Sequence, residues 1–400
     1  MSEFEAKSIC VLGRQPALGI AELESLYGAE HVQPLPGAAL LDIPAEEINF
    51  SQLGGTVKVA RLLATLAYSD WPKLSKYLVE NIPPHAKHLP EGKFTLGLSV
   101  YNLSVPVGKI GQTMLEIKKI VRRAGRPVRV VPNNQSALNS AQVLHNKLTH
   151  KGAWELLFVG AGNQTYLAQT LFVQDIEAYG SRDQGRPARD ARIGMLPPKL
   201  AQIIVNLAVG SPINIEDRTR VRVLDPFCGT GVMLQEALLM GYSVLGTDIE
   251  PRMVEYSRRN MKWLFEKYPS LEGQVDIEPA DATKYQWPGF STIASEVFLG
   301  RPLAKLPPPA ELKQIISDAN TITKKFLQNL APQVKSGRRI CLAVPAWHQG
   351  GGKFIALPVI DHLTDMGYNY LDLKQAGRDE LIYFRENQVV GRQLLVLKKV

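Results

Sequence analysis

Cysteine and long apolar runs are both scarce in this chain of 400 residues. Its cysteines, Cys10, Cys228 and Cys341, are widely spaced and form no Cys-x-x-Cys pair. This spacing supports neither a disulfide framework nor a zinc site, so we expect reduced thiols and no metal ion. No stretch of 18 apolar residues occurs, and the N-terminus lacks the basic and apolar regions of a signal peptide. We therefore expect a cytoplasmic protein that does not enter a membrane.

The net charge of +8 is unevenly distributed along the chain. Residues 1–75 hold 5 basic and 9 acidic side chains, residues 76–200 hold 17 and 8, and residues 201–400 hold 24 and 21. An excess of positive charge concentrated in the middle segment is typical of a surface that binds nucleic acid. The alternative is a solvated basic surface that maintains solubility.

Residues 221–231 are the most informative stretch, because an apolar strand ends there at Asp225 and breaks into a turn with Gly229 and Gly231. Two glycines that let backbone amides approach a ligand at a helix N-terminus indicate a nucleotide-type cofactor site. The turn lacks both the third glycine of the dinucleotide fingerprint and a phosphate-binding lysine, and Asp225 suits a cationic amino group. We therefore expect S-adenosylmethionine rather than NAD. The alternative is an ordinary turn that uses glycine only for its φ freedom. The predicted ligand-binding residues of the turn are Asp225, Pro226, Phe227, Cys228, Gly229 and Gly231.

Two further acids follow the next two predicted strands. Asp248 lies 23 positions after Asp225, close to the spacing of about 20 residues at which an acid accepts hydrogen bonds from ribose hydroxyls. Asp281 follows a third strand and is expected to accept from the adenine amino group. Their neighbours Ile249 and Ala282 complete the predicted cofactor site. Each acid alone could be a solvated loop residue, but three acids at successive strand ends favour a shared ligand.

Short strands and helices alternate through the first part of the chain, which indicates a small α+β unit. Prolines at 83, 84 and 90, together with Gly92, predict a linker before the next strand. The predicted elements are strands at 8–13, 39–43, 93–100, 128–131, 154–159 and 165–174, and helices at 16–27, 56–67 and 136–148.

A strongly basic helix is predicted after the strand at 93–100. Met114, Ile117, Val121 and Ala124 would face inward at helical spacing. Like charges at i,i+4 on the outer face destabilise a helix slightly, so a polyanionic partner would explain them. The residues predicted to bind RNA are Lys118, Lys119, Arg122, Arg123 and Arg126.

The second half of the chain predicts a doubly wound sheet with one antiparallel insertion, the form of the class I methyltransferase fold. After the cofactor strands come strands at 292–295, 339–344, 369–373, 381–384 and 393–397. Gly350, Gly351, Gly352 and Lys353 lack the spacing and the following Ser or Thr of a phosphate-binding loop, so a flexible connection is expected there.

The order of these features, with Met195-Leu196-Pro197-Pro198 before the cofactor strands and Ser140-Ala141-Gln142-Val143 in the basic segment, resembles the THUMP-domain tRNA guanine-N2 methyltransferases that modify guanosine 10. The likeness extends over essentially the whole chain, although only the cofactor turn and the Met-Leu-Pro-Pro linker are specific. It implies that the N-terminal domains grip the tRNA acceptor end and that a Rossmann-like catalytic domain methylates a guanine amine. The implied domains are a ferredoxin-like domain at 1–75, a THUMP domain at 76–178, a linker at 179–198 and a class I methyltransferase domain at 199–400. The resemblance also assigns cofactor binding to Asp225, Gly229, Gly231, Asp248 and Asp281.

The chain departs from that family at the end of the fourth strand. The family has Asp-Pro-Pro-Tyr there, and this chain has Ser295-Glu296-Val297-Phe298. Glu296 could replace the aspartate that holds the amine hydrogens, and Phe298 could replace the stacking tyrosine, although both cannot align at once. Ser295, Glu296 and Phe298 are therefore the catalytic candidates, with a structural or substrate-orienting role for Glu296 as the alternative.

Together these features predict an S-adenosylmethionine-dependent tRNA methyltransferase that forms N2-methylguanosine at position 10 without a metal ion. Two alternatives stay open at this stage. The altered fourth-strand motif favours an RNA-binding protein that keeps the cofactor fold but has lost methyl transfer. A methyltransferase that acts on another RNA base, or on a protein side chain, would retain the same cofactor site.

Overall fold

The computed structural model describes residues 4–190, 195–211, 217–386 and 388–400. The chain divides into two compact units. Unit 1 comprises the chain up to Pro16, Glu30–Ser51 and Thr56–Ala178, and unit 2 comprises Ala17–Ala29, Gln52–Gly55 and Tyr179–Val400. Residues 1–3 of the predicted first domain and residues 191–194 of the predicted linker lie outside the described residues.

The helices and strands are numbered here in chain order. The first part of the chain contains β1 (Ser8–Leu12), α1 (Pro16–Tyr27), β2 (Val32–Leu35), β3 (Ala38–Leu41), β4 (Thr56–Leu66), α2 (Trp71–Ala86), β5 (Phe94–Tyr101), α3 (Val107–Arg123), β6 (Val128–Val130), α4 (Ser140–His145), β7 (Ala153–Ala161), β8 (Gln164–Val173) and α5 (Ile176–Gln184). The second part contains α6 (Pro198–Val209), β9 (Arg222–Asp225), α7 (Val232–Leu239), β10 (Ser243–Asp248), α8 (Pro251–Lys267), β11 (Val275–Pro279), β12 (Thr292–Glu296), α9 (Pro309–Leu330), β13 (Arg339–Gly350), β14 (Lys353–Ile355), β15 (Tyr368–Tyr370), β16 (Ile382–Tyr383) and β17 (Val390–Lys399). No helix of the described residues is long and apolar enough to cross a bilayer.

Unit 1 is built on one sheet with the strand order β2-β3-β1-β4-β8-β7-β5-β6. The prediction of a helix at 56–67 is wrong, because this segment forms β4, which pairs antiparallel with β1 on one side and with β8 on the other. β-Branched Thr56, Val57 and Val59 suit a pleated surface, and hydrogen bonding to two neighbouring strands outweighs any helical preference. The predicted boundary at residue 75 falls within unit 1, and the division into ferredoxin-like and THUMP domains stays a prediction.

Pro83 and Pro84, two of the prolines that predicted a linker, lie instead in the last turn of α2, whereas Pro90 follows the helix. Asp70 caps this helix by accepting a hydrogen bond from the Lys73 N–H (3.2 Å). Leu74, Leu78 and Ile82 recur at i,i+4 and are buried against the sheet. This apolar stripe holds the helix together through Pro83-Pro84, whose missing N–H groups weaken its last turn, and the helix ends at Ala86. Helix α4 is likewise shorter than the predicted helix at 136–148.

Unit 2 contains a second sheet with the order β11-β10-β9-β12-β13-β17-β15, in which β9 to β13 are parallel and β17 is antiparallel. This order confirms the predicted doubly wound sheet with an antiparallel insertion. The chain proceeds outward from β9 to β11 and then returns to the other side of β9 as β12. The strand order therefore reverses between β9 and β12, and ligands of such sheets bind at the carboxyl ends of the strands beside that reversal.

Helix α1 is held within unit 2 by a buried carboxylate. Glu22 accepts hydrogen bonds from the Gly54 and Gly55 N–H groups (2.9 and 2.8 Å) and from the Asn206 side chain (2.7 Å). The fit around these glycines is close, since a Cβ atom on Gly55 would lie 2.5 Å from the Cα of Gly19. Burial raises the pKa of Glu22 to about 7 despite the three donors.

Candidate active site

The turn after β9 lies beside the place where the strand order reverses, and it leads into the N-terminus of α7. Gly229 (φ +52°) and Gly231 (φ +83°) both have left-handed backbone conformations that disfavour other residues. A Cβ atom on Gly231 would lie 2.9 Å from the Ser257 Oγ, whereas one on Gly229 would meet only the Phe227 carbonyl oxygen at 4.0 Å. Gly231 is therefore required by packing, and Gly229 leaves open space above the turn.

Asp225 lies beneath this turn and is almost completely buried. Its carboxylate accepts hydrogen bonds from the Ser295 hydroxyl (2.6 Å) and from the Phe227 N–H (3.2 Å). Burial raises the pKa of Asp225 to about 7, and the neighbouring charges of Asp248 and Glu296 add to the effect. Ser295, a catalytic candidate from the sequence, is itself fully buried, and its hydroxyl is directed at Asp225.

Asp248, at the end of β10, is joined to the same turn. Its carboxylate accepts hydrogen bonds from the Gly229 N–H (2.9 Å) and from the Glu250 N–H (2.9 Å). Burial raises the pKa of Asp248, and these two backbone donors oppose the rise. The next residue, Ile249, is 69% exposed. The structure therefore brings the carboxylates of Asp225 and Asp248 to one turn.

Asp281 follows β11 in the neighbouring loop. The Ala280 N–H donates to the Asp248 carbonyl oxygen (2.9 Å), which ties this loop to the end of β10. Asp281 accepts from the Thr283 hydroxyl (2.7 Å) and N–H (2.9 Å), and these bonds lower its pKa. Its side chain is 25% exposed, and the adjacent Ala282 is buried. Asp281 is thus an ionised acceptor at the rim of the site.

Glu296 ends β12 and forms an ion pair with Arg392 of β17. Burial raises the pKa of Glu296, whereas the Arg392 guanidinium lowers it. Arg392 is 5% exposed. The sequence analysis missed Arg392, which lies 96 positions from Glu296. A lone arginine on a late strand gave no local signal, because only the insertion of β17 beside β13 brings it to the end of β12.

Phe298 stands just beyond the same strand. The preceding Val297 is buried, and its N–H donates to the Ala343 carbonyl oxygen (3.0 Å). By contrast, Phe298 remains 41% exposed. An exposed ring after a buried strand end is available to stack on a planar group.

The predicted RNA-binding residues lie in unit 1, and the structure separates one of them from the rest. Helix α3 ends at Arg123, so the expectation that Ala124 and Arg126 lie on opposite faces of it is wrong. The Arg126 guanidinium donates instead to the backbone carbonyl oxygens of Ala86, Leu89 and Pro90. Arg126 therefore anchors the end of α2 to the chain after α3.

The remaining basic residues do share a surface of α3. Ile110, Met114, Ile117 and Val121 form the buried stripe of this helix. On the opposite side Lys119, Arg122 and Arg123 are exposed, and Lys118 is half-buried. This group, Lys118, Lys119, Arg122 and Arg123, is called the basic face below.

Chemically, the site in unit 2 combines hydrogen-bond acceptors with an exposed ring. Carboxylates end or follow β9, β10 and β11, and a fourth carboxylate ends β12 beside an arginine. Such acceptors suit a ligand that presents an ammonium group, hydroxyls and an amino group. The exposed ring suits a planar partner.

Comparison with known proteins gave several matches. No model of a protein family matches the chain. A stretch of 69 residues is 51% identical to the tRNA (guanine(10)-N2)-dimethyltransferase of Methanothermobacter thermautotrophicus, covering 17% of this chain and 18% of that protein. A stretch of 153 residues is 31% identical to the Pyrococcus abyssi protein of the same name, covering 38% of this chain and 39% of that one. These matches span less than half the length of the curated relatives.

Among solved structures, the crystal structure of TrmN from Thermus thermophilus aligns with 99% of this chain and 100% of its own. The TM-score is 0.52 and the sequence identity is 17%. At this identity the alignment shows that the two chains share a fold.

Proposed function

We propose that the chain is an S-adenosylmethionine-dependent tRNA methyltransferase that forms N2-methylguanosine at position 10. The observation that carries this proposal is the hydrogen-bonded site of Asp225, the glycine turn and Asp248 beside the strand-order reversal in unit 2. The partial matches to archaeal enzymes named for guanosine 10 support the choice of substrate.

The residues of the site fit this cofactor. Open space above Gly229 lets a ligand approach the backbone, and the acceptors match the donors of S-adenosylmethionine. In this account Asp225 binds the ammonium group of the methionine moiety, Asp248 binds the ribose hydroxyls and Asp281 accepts from the adenine amine. Bound there, the cofactor supplies a methyl group on a sulfonium, which is already an activated leaving group, so positioning provides most of the catalysis.

Glu296 is the residue of this chain that would act on the guanine. The exocyclic amine delocalises its lone pair into the ring, and an acceptor carboxylate that holds its hydrogens directs the nitrogen toward the methyl group. Glu296 holds this amine and takes up the proton that the amine loses. Burial raises the pKa of Glu296, and Arg392 opposes this rise and fixes the orientation of the carboxylate. The exposed Phe298 ring stacks on the flipped base.

Unit 1 would bind the tRNA. The basic face of α3 offers several positive charges to the phosphate backbone, and such contacts provide affinity without sequence readout. In this proposal unit 1 contains a ferredoxin-like domain up to residue 75 and a THUMP domain from 76 to 178.

The proposal is tested by incubating the full chain with cofactor labelled in its methyl group and with tRNA transcripts that carry guanosine or adenosine at position 10. We expect label in the guanosine transcript alone, and mass spectrometry should find it in N2-methylguanosine. Label in both transcripts would show that the chain methylates a nucleotide other than guanosine 10.

One observation favours a second function. Glu296 is already engaged by Arg392, and the prolines of the family motif are missing. An RNA-binding protein that holds the cofactor without transferring the methyl group would account for both. That protein would bind tRNA and cofactor, yet it would leave no label in any tRNA.

A further inference from the structure

Three rings meet at the far end of β13, beside the stretch 350–353 that the sequence predicted to be a flexible connection and that forms the turn between β13 and β14. His348 of β13 lies opposite Phe354 of β14 in the hairpin that turns at Gly350–Gly352. Phe384, just after β16, completes the group. The ring centroids of His348 and Phe384 are 4.3 Å apart, those of His348 and Phe354 are 5.1 Å apart, and those of Phe354 and Phe384 are 5.2 Å apart.

The rings lie on the face of the hairpin that points away from the core. Trp347 and Ile355 form the neighbouring register pair and pack into the core cluster of unit 2. Because successive side chains of a strand point to opposite faces, His348 and Phe354 point the other way. All three rings of the group are half-buried, so part of each ring remains open to solvent.

One ring of the group packs against a glycine of the neighbouring strand. A Cβ atom on Gly391 of β17 would lie 3.2 Å from the Cε1 of Phe354. Phe354 therefore rests directly on the β17 backbone, one residue before Arg392. Gly391 and Arg392 are successive residues of β17, so their side chains point to opposite faces of the sheet. The rings therefore lie on the face opposite to that of the Arg392–Glu296 pair.

The distance along the sheet shows that the rings cannot hold the reacting base. Glu296 is paired with Ala343 in the parallel register of β12 and β13, and His348 lies five residues farther along β13. Five strand residues extend about 16 Å. Successive stacked nucleotides are about 3.4 Å apart, so the rings lie several nucleotides away from a base that meets Glu296.

Charge beside the rings favours a polyanionic ligand. Residues 346–356 and 382–391 contain two exposed cations, Lys353 and Arg385, against one acid, Glu386. Arg392, the next residue, is buried and paired with Glu296. Arg385, exposed beside Phe384, donates a hydrogen bond from its Nε to the Tyr383 hydroxyl (3.0 Å). Clustered aromatic rings flanked by cations are the usual platform for bases of single-stranded nucleic acid.

We propose that His348, Phe354 and Phe384 form a stacking subsite for an unpaired nucleobase of the substrate RNA, several nucleotides from the base that is methylated. This inference rests on the proposed function for the identity of the RNA. Ring stacking tolerates any base, so the subsite adds affinity and fixes the path of the strand rather than reading its sequence.

The test compares the full wild-type chain with Phe384→Leu, which removes the ring, and with Phe384→Trp, which keeps one. Binding of fluorescent tRNA is measured by anisotropy, and KM and kcat for tRNA are measured with labelled cofactor. We expect Phe384→Leu to raise the Kd and the KM for tRNA on the order of 10-fold, with kcat at saturating tRNA and the Kd for cofactor unchanged. Phe384→Trp should bind tRNA as the wild type does.

The matched control is Leu306→Ala, which removes an apolar side chain of unit 2 that is 39% exposed and lies outside the ring group. It should leave tRNA binding unchanged. If Phe384→Leu binds tRNA with the affinity of the wild type, the proposal is overturned, whatever the melting temperature of the variant. The rings would then serve only to pack the hairpin. If the wild type transfers no methyl group, the proposed function fails. The anisotropy comparison of wild type and Phe384→Leu would still show whether the rings bind tRNA.

Discussion

The Ser295 hydroxyl donates a 2.6 Å hydrogen bond to the buried carboxylate of Asp225. This hydrogen bond joins the end of β12 to the end of β9, the two strands between which the strand order reverses. A residue that the sequence offered as a catalytic candidate therefore supports the carboxylate at the start of the glycine turn.

Replacing Ser295 with Ala should change how cofactor binding depends on pH. The ionised form of Asp225 binds a cation, so affinity falls as the pH drops through its pKa, which is about 7. The Ser295 hydrogen bond lowers this pKa. Its loss should therefore move the fall in affinity to higher pH, as measured by calorimetry above and below neutrality. Thr323→Val, which removes a buried hydroxyl that bonds within α9, is the control and should leave the profile unchanged.

Replacing Asp248 with Ala should weaken cofactor binding roughly 10- to 150-fold, the value of one or two hydrogen bonds to a charged group. Calorimetry with S-adenosylmethionine measures the change. Asp276→Asn is the matched control, because Asp276 is an exposed acid on β11 that pairs with Arg222. An affinity equal to the wild type in Asp248→Ala would remove this residue from the cofactor site.

The Glu296–Arg392 pair should control the acid limb of the pH–rate profile. Burial raises the pKa of Glu296 and Arg392 lowers it, so Arg392→Gln should raise that pKa further. If the ionised carboxylate is the active form, kcat/KM is lost as the pH falls through this pKa, and the variant should lose activity at a higher pH than the wild type. Arg392→Lys keeps the charge without the planar donor group and should restore part of the profile.

Glu296→Gln keeps the shape of the side chain and removes its charge, and kcat should fall roughly 100- to 10,000-fold. Removing one partner of a buried ion pair also costs stability, about 3–5 kcal/mol. The double variant Glu296→Gln, Arg392→Gln should therefore melt at a higher temperature than Arg392→Gln alone, yet stay inactive. Wild-type turnover in Glu296→Gln would eliminate the essential carboxylate.

The basic face of α3 should act through salt-dependent binding. Changing Lys119, Arg122 and Arg123 to Gln should weaken tRNA binding and reduce the salt dependence of log Kd by about one for each phosphate that the variant no longer neutralises. Lys324→Gln with Lys325→Gln, two exposed cations of α9, is the control and should leave the slope unchanged. Arg126→Gln should lower the melting temperature instead, because its guanidinium holds three carbonyl oxygens.

Gly55 and Gly111 should respond in opposite directions to alanine. At Gly55 the added Cβ atom meets the Cα of Gly19 at 2.5 Å, and overpacking of this kind costs about 1–3 kcal/mol. At Gly111, inside α3, nothing lies within 4 Å of an added Cβ atom, so alanine should stabilise the helix by about 1 kcal/mol. Thermal unfolding of both variants measures the difference. A stabilised Gly55→Ala would contradict the close fit of α1.

The strand and glycine turn at 221–231 could be predicted because the signal is local: a strand, an acid and two glycines lie within eleven residues. Strand β4 could not be predicted, because its pairing with β1 and β8 depends on residues far away along the chain. Arg392 was missed for the same reason, because its partner Glu296 is far away along the chain. The roles of Ser295 and Arg126 were missed because only folding directs their side chains at Asp225 and at backbone carbonyls.

Transfer of labelled methyl groups to tRNA tests the central claim most directly. The account predicts label in a transcript with guanosine at position 10, none when adenosine replaces it, and loss of the label in Glu296→Gln. A wild-type chain that binds both tRNA and S-adenosylmethionine in calorimetry, yet transfers no label to any tRNA, would contradict it.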